Sequence, residues 1–436
     1  MSVRRSLQAL AAALAAGAIL SAQTPLADLA KLARQRAERA RPTQQKAMEP
    51  YWADLVLDYR NNMQFLDGKI AEVAALGESI VPLLLEKLQP AQGGEKDRNL
   101  AGNCRRVLEK LDPASFVDAL AELANGTNET ARGEAIRLLG HAATPTATNL
   151  LVELVDRNTG EDRRLVLRSL KQQKAASAAP KLVGMLGSSD RQVREDVLGY
   201  LIAAHPSQVA DTVAQALAGE RDNKLLPLYV DYFEAAVRGH DAAARALLPL
   251  LDRERLSWED TKRLVSALAT VAPQNHEPTT KRLHELIDSG ETSSLGVQAA
   301  LSLRALGDAR GVPKLKRALD DQLRKPQRKK EATLYEQRGN LLLGTEEYAE
   351  ALADFEKMLE NSSNEGAMSR RAYTGMMRCE ARRKRIANLT KLMKASAMSI
   401  AEIEAIGAED PVFQETLQQD KVRTFLQNLA KELGGK

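Results

Sequence analysis

The sequence has few aromatic residues, and this shortage narrows the choice of fold. Aromatic residues make up 4% of the 436 residues, whereas hydrophobic residues make up 44% and are mostly Leu, Ala and Val. Few large rings are available to fill a thick core, so the composition favours thin layers of paired helices. With this apolar content, the chain is also too hydrophobic to be disordered as a whole.

Recognisable catalytic motifs are also missing. The sequence contains no phosphate-binding glycine loop ending in Lys-Ser or Lys-Thr, no nucleophile elbow and no dinucleotide fingerprint. No histidine belongs to an H-E-x-x-H pair, and we interpret all five as surface or turn residues: His141, His205, His240, His276 and His284. We therefore expect no enzymatic activity, no metal site, no cofactor and no small-molecule substrate.

The first 22 residues have the pattern of a secretory signal peptide. Arg4 and Arg5 precede an uncharged, Ala- and Leu-rich stretch, and the small residues Ser21 and Ala22 follow it. This order predicts cleavage after Ala22 and a periplasmic or secreted protein; the alternative is a buried amphipathic N-terminal helix. No other segment is long and apolar enough to span a bilayer, so we expect no transmembrane segment in the mature chain. The net charge of +4 does not indicate a nucleic-acid partner, and we expect none.

A repeat of 31 residues runs through the middle of the chain. This step relates Arg132 to Arg163 and Arg163 to Arg194. The same step relates three sets of apolar residues: Ile136, Leu167 and Leu198; Leu139, Leu170 and Leu201; Leu151, Leu182 and Val213. Their spacing within each unit is helical, and Gly- and Pro-containing turns separate the helices. The repeat therefore predicts an all-α fold, an α-solenoid of stacked antiparallel helix pairs.

The turns of these units resemble those of the short form of HEAT repeats. Two turns match that pattern, one late and one early in the array: Leu306, Gly307, Asp308, Val312 and Pro313; Leu76, Gly77, Glu78, Val81 and Pro82. Proline suits the first turn of a helix, where its missing N–H has no helical partner to lose. We assign residues 67–325 to a HEAT-like array, preceded by an N-terminal helical cap at residues 23–66.

A second repeat type follows. Six residues have the spacing of a tetratricopeptide repeat: Tyr335, Gly339, Leu342, Tyr348, Ala351 and Phe355. Arg338 departs from this family, which usually has Leu at that position. Residues 369–396 resemble a degenerate second copy, in which Gly375 and Ala387 fit the pattern. We assign residues 326–396 to tetratricopeptide-like repeats and residues 397–436 to C-terminal capping helices.

Both resemblances imply a concave face that binds segments of other proteins. In the first tetratricopeptide-like copy the implied groove-facing residues are Glu336, Asn340 and Leu343. In the second copy they are Met376 and Cys379. Together with the predicted signal peptide, this use predicts a non-catalytic protein-binding scaffold of the cell envelope, with an unidentified protein partner. An enzyme whose site has no recognisable motif is an alternative.

Basic residues crowd the second copy and suggest a third function. The arginines of this cluster are Arg370, Arg371, Arg378, Arg382, Arg383 and Arg385. They could bind an anionic partner, such as an acidic protein segment, a lipid head group or an acidic polysaccharide. The simpler interpretation is a solvated helix face whose arginine stems cover apolar neighbours.

The two cysteines lie far apart in the sequence. In a stacked array, residues far apart in the sequence are usually far apart in space, so Cys104 and Cys379 are predicted to be buried thiols. A disulfide is the alternative, because an exported chain reaches an oxidising compartment.

Overall fold

The computed structural model describes residues 42–58, 63–88, 94–252, 256–289, 293–362 and 366–434. Within these ranges the chain is largely helical and contains no β-strand, and successive helices pack against their neighbours. The predicted all-α solenoid of stacked helix pairs is confirmed. No helix in the same ranges has both the length and the apolar content needed to cross a bilayer. The predicted signal peptide, its cleavage site after Ala22 and residues 23–41 of the predicted cap lie outside the described residues.

The chain divides into two compact units, one ending at Ala236 and the other beginning at Val237. The predicted change of repeat type, at residue 325, lies within the second unit. The division into two units does not show which type of repeat each unit contains. The predicted signal peptide, cap, HEAT-like array, tetratricopeptide-like repeats and capping helices therefore stay predictions.

The first unit consists of short helices joined by tight turns. Residues 42–48 are helical, and the helices after them are α1 (Trp52–Leu55), α2 (Met63–Ala74), α3 (Val81–Lys87), α4 (Glu95–Lys110), α5 (Val117–Ala124), α6 (Glu129–His141), α7 (Pro145–Arg157), α8 (Gly160–Gln173), α9 (Ala179–Leu182), α10 (Arg191–Ala204), α11 (Ala210–Gly219) and α12 (Leu226–Ala236). Short 3-10 helices lie between them at Glu78–Ile80, Pro113–Phe116, Ala176–Ala178, Val183–Gly187 and Ser207–Val209.

The core of the first unit contains the apolar residues of the 31-residue repeat. Helices α6, α8 and α10 are the first helices of successive pairs, and α8 packs against both of the others. Ile136, Leu167 and Leu198, one from each, are completely buried. Neither helix of a pair could bury its apolar stripe alone, so stacking of neighbouring pairs completes this core.

The repeated arginines have a structural role. Arg132 donates to Asp162 from Nη2 (2.6 Å) and Nε (3.1 Å) and to the carbonyl oxygen of Gly126 (3.3 Å). Arg163 donates to the carbonyl oxygens of Val155 (3.1 Å) and Asn158 (2.8 Å). Arg132 therefore binds a carbonyl group of the turn after α5, and Arg163 binds carbonyl groups at the C-terminal end of α7, where helical partners are lacking.

The second unit has longer helices. They are α13 (Asp241–Leu247), α14 (Trp258–Val271), α15 (Glu277–Asp288), α16 (Ser294–Ala305), α17 (Gly311–Arg324), α18 (Ala332–Gly344), α19 (Tyr348–Glu360), α20 (Ala367–Arg382), α21 (Ile386–Ala395), α22 (Ile400–Glu409), α23 (Pro411–Leu417) and α24 (Asp420–Gly434), with a 3-10 helix at Leu248–Asp252. Residues of α21 to α24 share one apolar cluster that includes Met393, Ile403, Phe413 and Val422.

The Phe355 ring is packed between two glycines of the second unit. A Cβ added at Gly339 of α18 would lie 3.1 Å from the ring, and one added at Gly375 of α20 would lie 2.5 Å from it. Helix α19 can approach both neighbours closely only because neither position carries a side chain. The ring thereby fixes the spacing of three consecutive helices.

Arg338 is accommodated by charge pairing, which explains how the chain tolerates it at an apolar position. Its guanidinium donates to both carboxylate oxygens of buried Asp354, at 2.6 and 2.8 Å, and to Asp320 at 2.7 Å. These hydrogen bonds hold the pKa of Arg338 above its ordinary value, although burial opposes them.

One of the five histidines interpreted as surface or turn residues is buried. His276 occupies a turn but is only 8% exposed, with Nδ1 2.8 Å from Thr279 Oγ1 and Nε2 3.0 Å from Asp241 Oδ1. Asp241 begins α13, so this turn residue is covered by the start of another helix of the unit. In a stacked array, a position in a turn does not ensure exposure.

Both cysteines are buried and unpaired, as predicted. Burial raises the pKa of the Cys104 thiol and of the Cys379 thiol to about 12.

Candidate functional site

A groove of about 780 Å³ lies on the second unit. Its lining comes from α14, α16, α18, α20 and α22, the first helices of five successive pairs, with Phe355 of α19 beneath them. Residues of one helix face recur every three or four positions. On α16 the groove residues Ser294, Val297, Gln298 and Leu301 have this spacing.

The three residues predicted on α18 line this groove. Glu336, Asn340 and Leu343 lie at i, i+4 and i+7, and so share one face of the helix. Their predicted role in binding a protein stays a prediction.

The placement predicted on α20 is wrong. Met376 is 2% exposed and Cys379 is completely buried, whereas Arg371, Gly375 and Arg378 line the groove. The prediction treated Gly375 as the counterpart of Gly339, which moved the groove positions by one residue. Both glycines contact the Phe355 ring, but from helices on opposite sides of α19 in the sequence, so they are not equivalent positions.

Ion pairs link α20 to the helices before and after it. Arg371 Nε lies 2.9 Å from Glu336 Oε1 on α18. Arg378 Nη2 lies 3.1 Å from Glu409 Oε2 on α22. Arg370 Nη1 lies 2.8 Å from Glu402 Oε1, also on α22. These three arginines of the predicted basic cluster therefore connect α20 to α18 and α22.

Asp410 is the most heavily committed carboxylate of the groove. It accepts hydrogen bonds from Arg382 at 2.7 and 3.1 Å and from the backbone N–H groups of Val412 (3.1 Å) and Phe413 (3.2 Å), so it caps α23. Burial acts to raise the pKa of Asp410, but these hydrogen bonds and the charge of Arg382 outweigh it, and the pKa lies below its ordinary value.

The remaining arginines of the cluster lie near the end of α20. Arg383 Nη1 is 2.9 Å from Glu380 Oε1, a carboxylate that is almost completely buried. Arg385 is exposed and has no ion pair with a described residue. Five of the six arginines thus already have carboxylate partners, which leaves little unpaired positive charge for an anionic polymer.

Glu336, the one carboxylate of α18, is mostly buried. Its side chain is 14% exposed, and burial raises its pKa, although the charges of Arg371 and Lys262 act in the opposite direction. Arg371 therefore offsets part of the desolvation penalty of the Glu336 carboxylate.

Three amide side chains of the groove lack hydrogen-bond partners. Gln298 of α16 and Asn340 of α18 are half-buried and make no side-chain hydrogen bond to any residue described here. Gln337 has an occluded Oε1 atom that no donor reaches. Sequence reasoning missed Gln298, Gln337 and Lys262. Two of them lie before residue 325, outside the repeat in which groove positions were sought.

The groove can form hydrogen bonds and apolar contacts. In the ranges that the structure covers, no cluster of three or more His, Cys, Asp or Glu side chains is arranged to hold a metal ion. Val297, Leu301, Leu343 and Ile406 supply apolar surface between the polar groups.

No protein-family model and no curated protein sequence matches the chain. Among solved structures, the chain is similar to the crystal structure of an engineered protein, with 16% sequence identity and a TM-score of 0.36. The match covers 78% of this chain and 99% of the engineered one. A TM-score this low carries no argument about function.

Proposed function

We propose that the protein is a non-catalytic scaffold of the cell envelope whose groove on the second unit binds a segment of another protein. The observation that carries this proposal is a groove lined by five successive first helices, in which amides without partners lie among apolar side chains. Faces built in this way suit extended segments or helices, because contacts can be distributed over several repeats. The resemblance of the sequence to HEAT and tetratricopeptide repeats supports the same use.

The charges of the groove favour a protein segment over a polyanion. Four basic and four acidic side chains line it: Lys262, Arg371, Arg378 and Arg382; Glu336, Glu402, Glu409 and Asp410. A site for an anionic polymer would need an excess of positive charge, because attraction between the polyanion and basic side chains drives most of such binding. Balanced charge among apolar groups is typical of a protein-binding surface.

Site-specific photocrosslinking in the native host tests the proposal. A benzophenone amino acid at Leu343 would lie in the groove, and the matched control at the exposed Glu356 would lie on the second helix of the same pair. We expect one protein to be captured repeatedly from position 343 and not from position 356. A Leu343→Arg variant should no longer copurify that protein. Equal capture at both positions would contradict a groove-bound partner.

Export is tested separately. The N-terminal pattern supports a mature chain that begins at Gln23, found in the periplasmic or secreted fraction. N-terminal sequencing of the protein from fractionated cells checks both points. A cytoplasmic chain that retains Ser2 would contradict export without affecting the groove.

A further inference from the structure

The arginines of the groove already have partners within the protein, whereas two of its amide side chains have none in the described chain. Arg371, Arg378 and Arg382 each have a carboxylate partner within the unit. Gln298 and Asn340 have no side-chain hydrogen bond within the described chain. Apart from Lys262, which has no ion pair in the described chain, the unused bonding capacity of the groove therefore belongs to amides.

A side-chain amide is complementary to a peptide group. Its N–H₂ donates to a carbonyl oxygen and its oxygen accepts from an N–H, so one Asn or Gln can pair with both the N–H and the C=O of one residue in an extended chain, because these two groups point to the same side. A carboxylate ligand would instead have to compete with the acidic residues that already hold the arginines. A peptide backbone needs no such exchange.

The two free amides lie on helices that pack against each other. Gln298 is on α16 and Asn340 is on α18, and these helices are in contact. Packed helix axes are about 8–10 Å apart. The backbone groups on one edge of an extended chain recur every two residues, about 7 Å. One extended segment could therefore reach both amides at once.

We infer that the groove recognises an extended polypeptide segment through its backbone amides, using Gln298 and Asn340, with little dependence on the charge of the segment. This inference rests on the proposed function and names the chemistry of its partner. The apolar groups Leu301 and Leu343 then contact alternate side chains of the same segment, because side chains of an extended chain point to opposite faces.

The test uses the full chain and peptides as probes. Twelve-residue peptides are selected from a random phage-displayed library, with the Leu343→Arg protein as the counter-selection target. The strongest binder is synthesised in its normal form and with alternate backbone amides N-methylated, and affinities are measured by fluorescence anisotropy. We expect the N-methylated peptide to bind at least about tenfold more weakly, since each lost hydrogen bond typically weakens binding several-fold.

Near-isosteric variants identify the protein groups involved. Gln298→Met combined with Asn340→Leu removes the amides and keeps most of the volume, and we expect it to weaken binding of the normal peptide about tenfold or more. Lys262→Met removes the groove cation that has no ion pair in the described chain, and it should change the affinity less than threefold. Raising the salt concentration should have an equally small effect. Circular dichroism confirms that each variant is folded.

Each result bears on a different claim. If Lys262→Met weakens binding more than the amide variant does, or if affinity falls steeply with salt, the charge of the ligand dominates recognition and the inference is wrong. If the amide variant binds normally but Leu343→Arg does not, the groove is a binding site and only backbone recognition is wrong. If no peptide is enriched over the Leu343→Arg control, both backbone recognition and the proposed function are contradicted.

Discussion

Arginine has different roles in the two units of this chain. In the first unit Arg132, Arg163 and Arg194 recur every 31 residues and bind carbonyl groups of nearby turns and helix ends. In the second unit the arginines of α20 have no such period. Those that line the groove, such as Arg371 and Arg378, pair with carboxylates of neighbouring helices.

Exposure separates the two sets further. Arg194 and its partner Glu220 have side chains that are 15% and 4% exposed. Arg370 and its partner Glu402, which lines the groove, are 62% and 40% exposed. Exposed pairs contribute little to stability, whereas breaking a buried pair leaves an uncompensated charge. The periodic arginines should therefore hold the fold, and the exposed pairs of the groove should be replaceable.

The largest effect should come from Arg194→Ala in the first unit. Loss of this side chain leaves Glu220 buried without its cation and frees the carbonyl oxygen of Ser188, which Arg194 contacts at 2.9 Å. We expect a loss of about 3 kcal/mol in the free energy of unfolding, measured by urea denaturation. The matched control is Arg191→Ala, whose side chain is 48% exposed, and it should cost less than about 1 kcal/mol. Equal losses for the two variants would refute a special role for the periodic arginines.

Arg382→Gln should have the next largest effect, because Arg382 makes the shortest ion pair with the buried Asp410. Its removal leaves Asp410, which is 6% exposed, with its backbone hydrogen bonds and the more distant Arg378 Nε at 3.5 Å. We expect a loss of about 1–3 kcal/mol at pH 7. Arg370→Gln, at a side chain 62% exposed, is the control and should cost less than about 1 kcal/mol.

The pH dependence of Arg382→Gln has a defined sign. The folded-state pKa of Asp410 is lowered, so its stabilising contribution is present above its unfolded pKa of about 3.9 and is lost as pH falls through the folded value. The difference between wild type and variant should therefore shrink below about pH 4. A difference that stays constant down to pH 2 would show that the pair is not the cause.

The periodic part of this architecture could be predicted from the sequence, since burial repeats with the helix pairs. Ile136, Leu167 and Leu198 reveal their common environment by spacing alone. The residues of α20 that face the groove could not be predicted. A glycine against the Phe355 ring can belong to the helix before α19 or to the helix after it, so Gly375 alone does not fix which face of α20 lines the groove. The groove amides Gln298 and Gln337 were also not predicted. Gln298 belongs to a different predicted array, and only the fold brings it beside Asn340.

A smaller effect, of opposite sign for two groove carboxylates, is expected from glutamine substitutions. Burial raises the pKa of Glu336, so its contribution to stability is present below the unfolded pKa of about 4.3 and is lost as pH rises through the folded value. Gln does not ionise, so Glu336→Gln does not lose stability in this way. Between pH 4 and pH 7 the free energy of unfolding of the variant should rise by up to about 1 kcal/mol relative to wild type. Thermal unfolding at both pH values measures this gain.

Glu402→Gln is the contrasting variant. Hydrogen bonds from the backbone N–H and hydroxyl of Ser399 lower the pKa of Glu402, and the nearby Arg370 contributes. Its stabilising effect is present above the unfolded pKa and is lost as pH falls through the folded value. This variant should therefore be destabilised at pH 7 and approach wild type at low pH. The same sign for both variants would contradict the assignment of Glu336 as a desolvated groove carboxylate.

The smallest effect should be the reactivity of the two thiols, one in each unit. Cys104 and Cys379 are completely buried, and burial raises the pKa of each to about 12, so almost no thiolate is present at neutral pH. We expect a disulfide reagent to leave both thiols unmodified in the native protein and to label them only as the surrounding helices open.

Single-cysteine variants, Cys104→Ala and Cys379→Ala, then report the opening of each unit separately as urea is raised. If the periodic arginines hold the fold while exposed groove pairs are replaceable, Arg194→Ala should speed labelling of Cys104, and Arg370→Gln should leave the labelling of Cys379 nearly unchanged. Fast labelling of Cys379 in Arg370→Gln would show that this ion pair holds the second unit together, and the contrast between the two sets of arginines would fail.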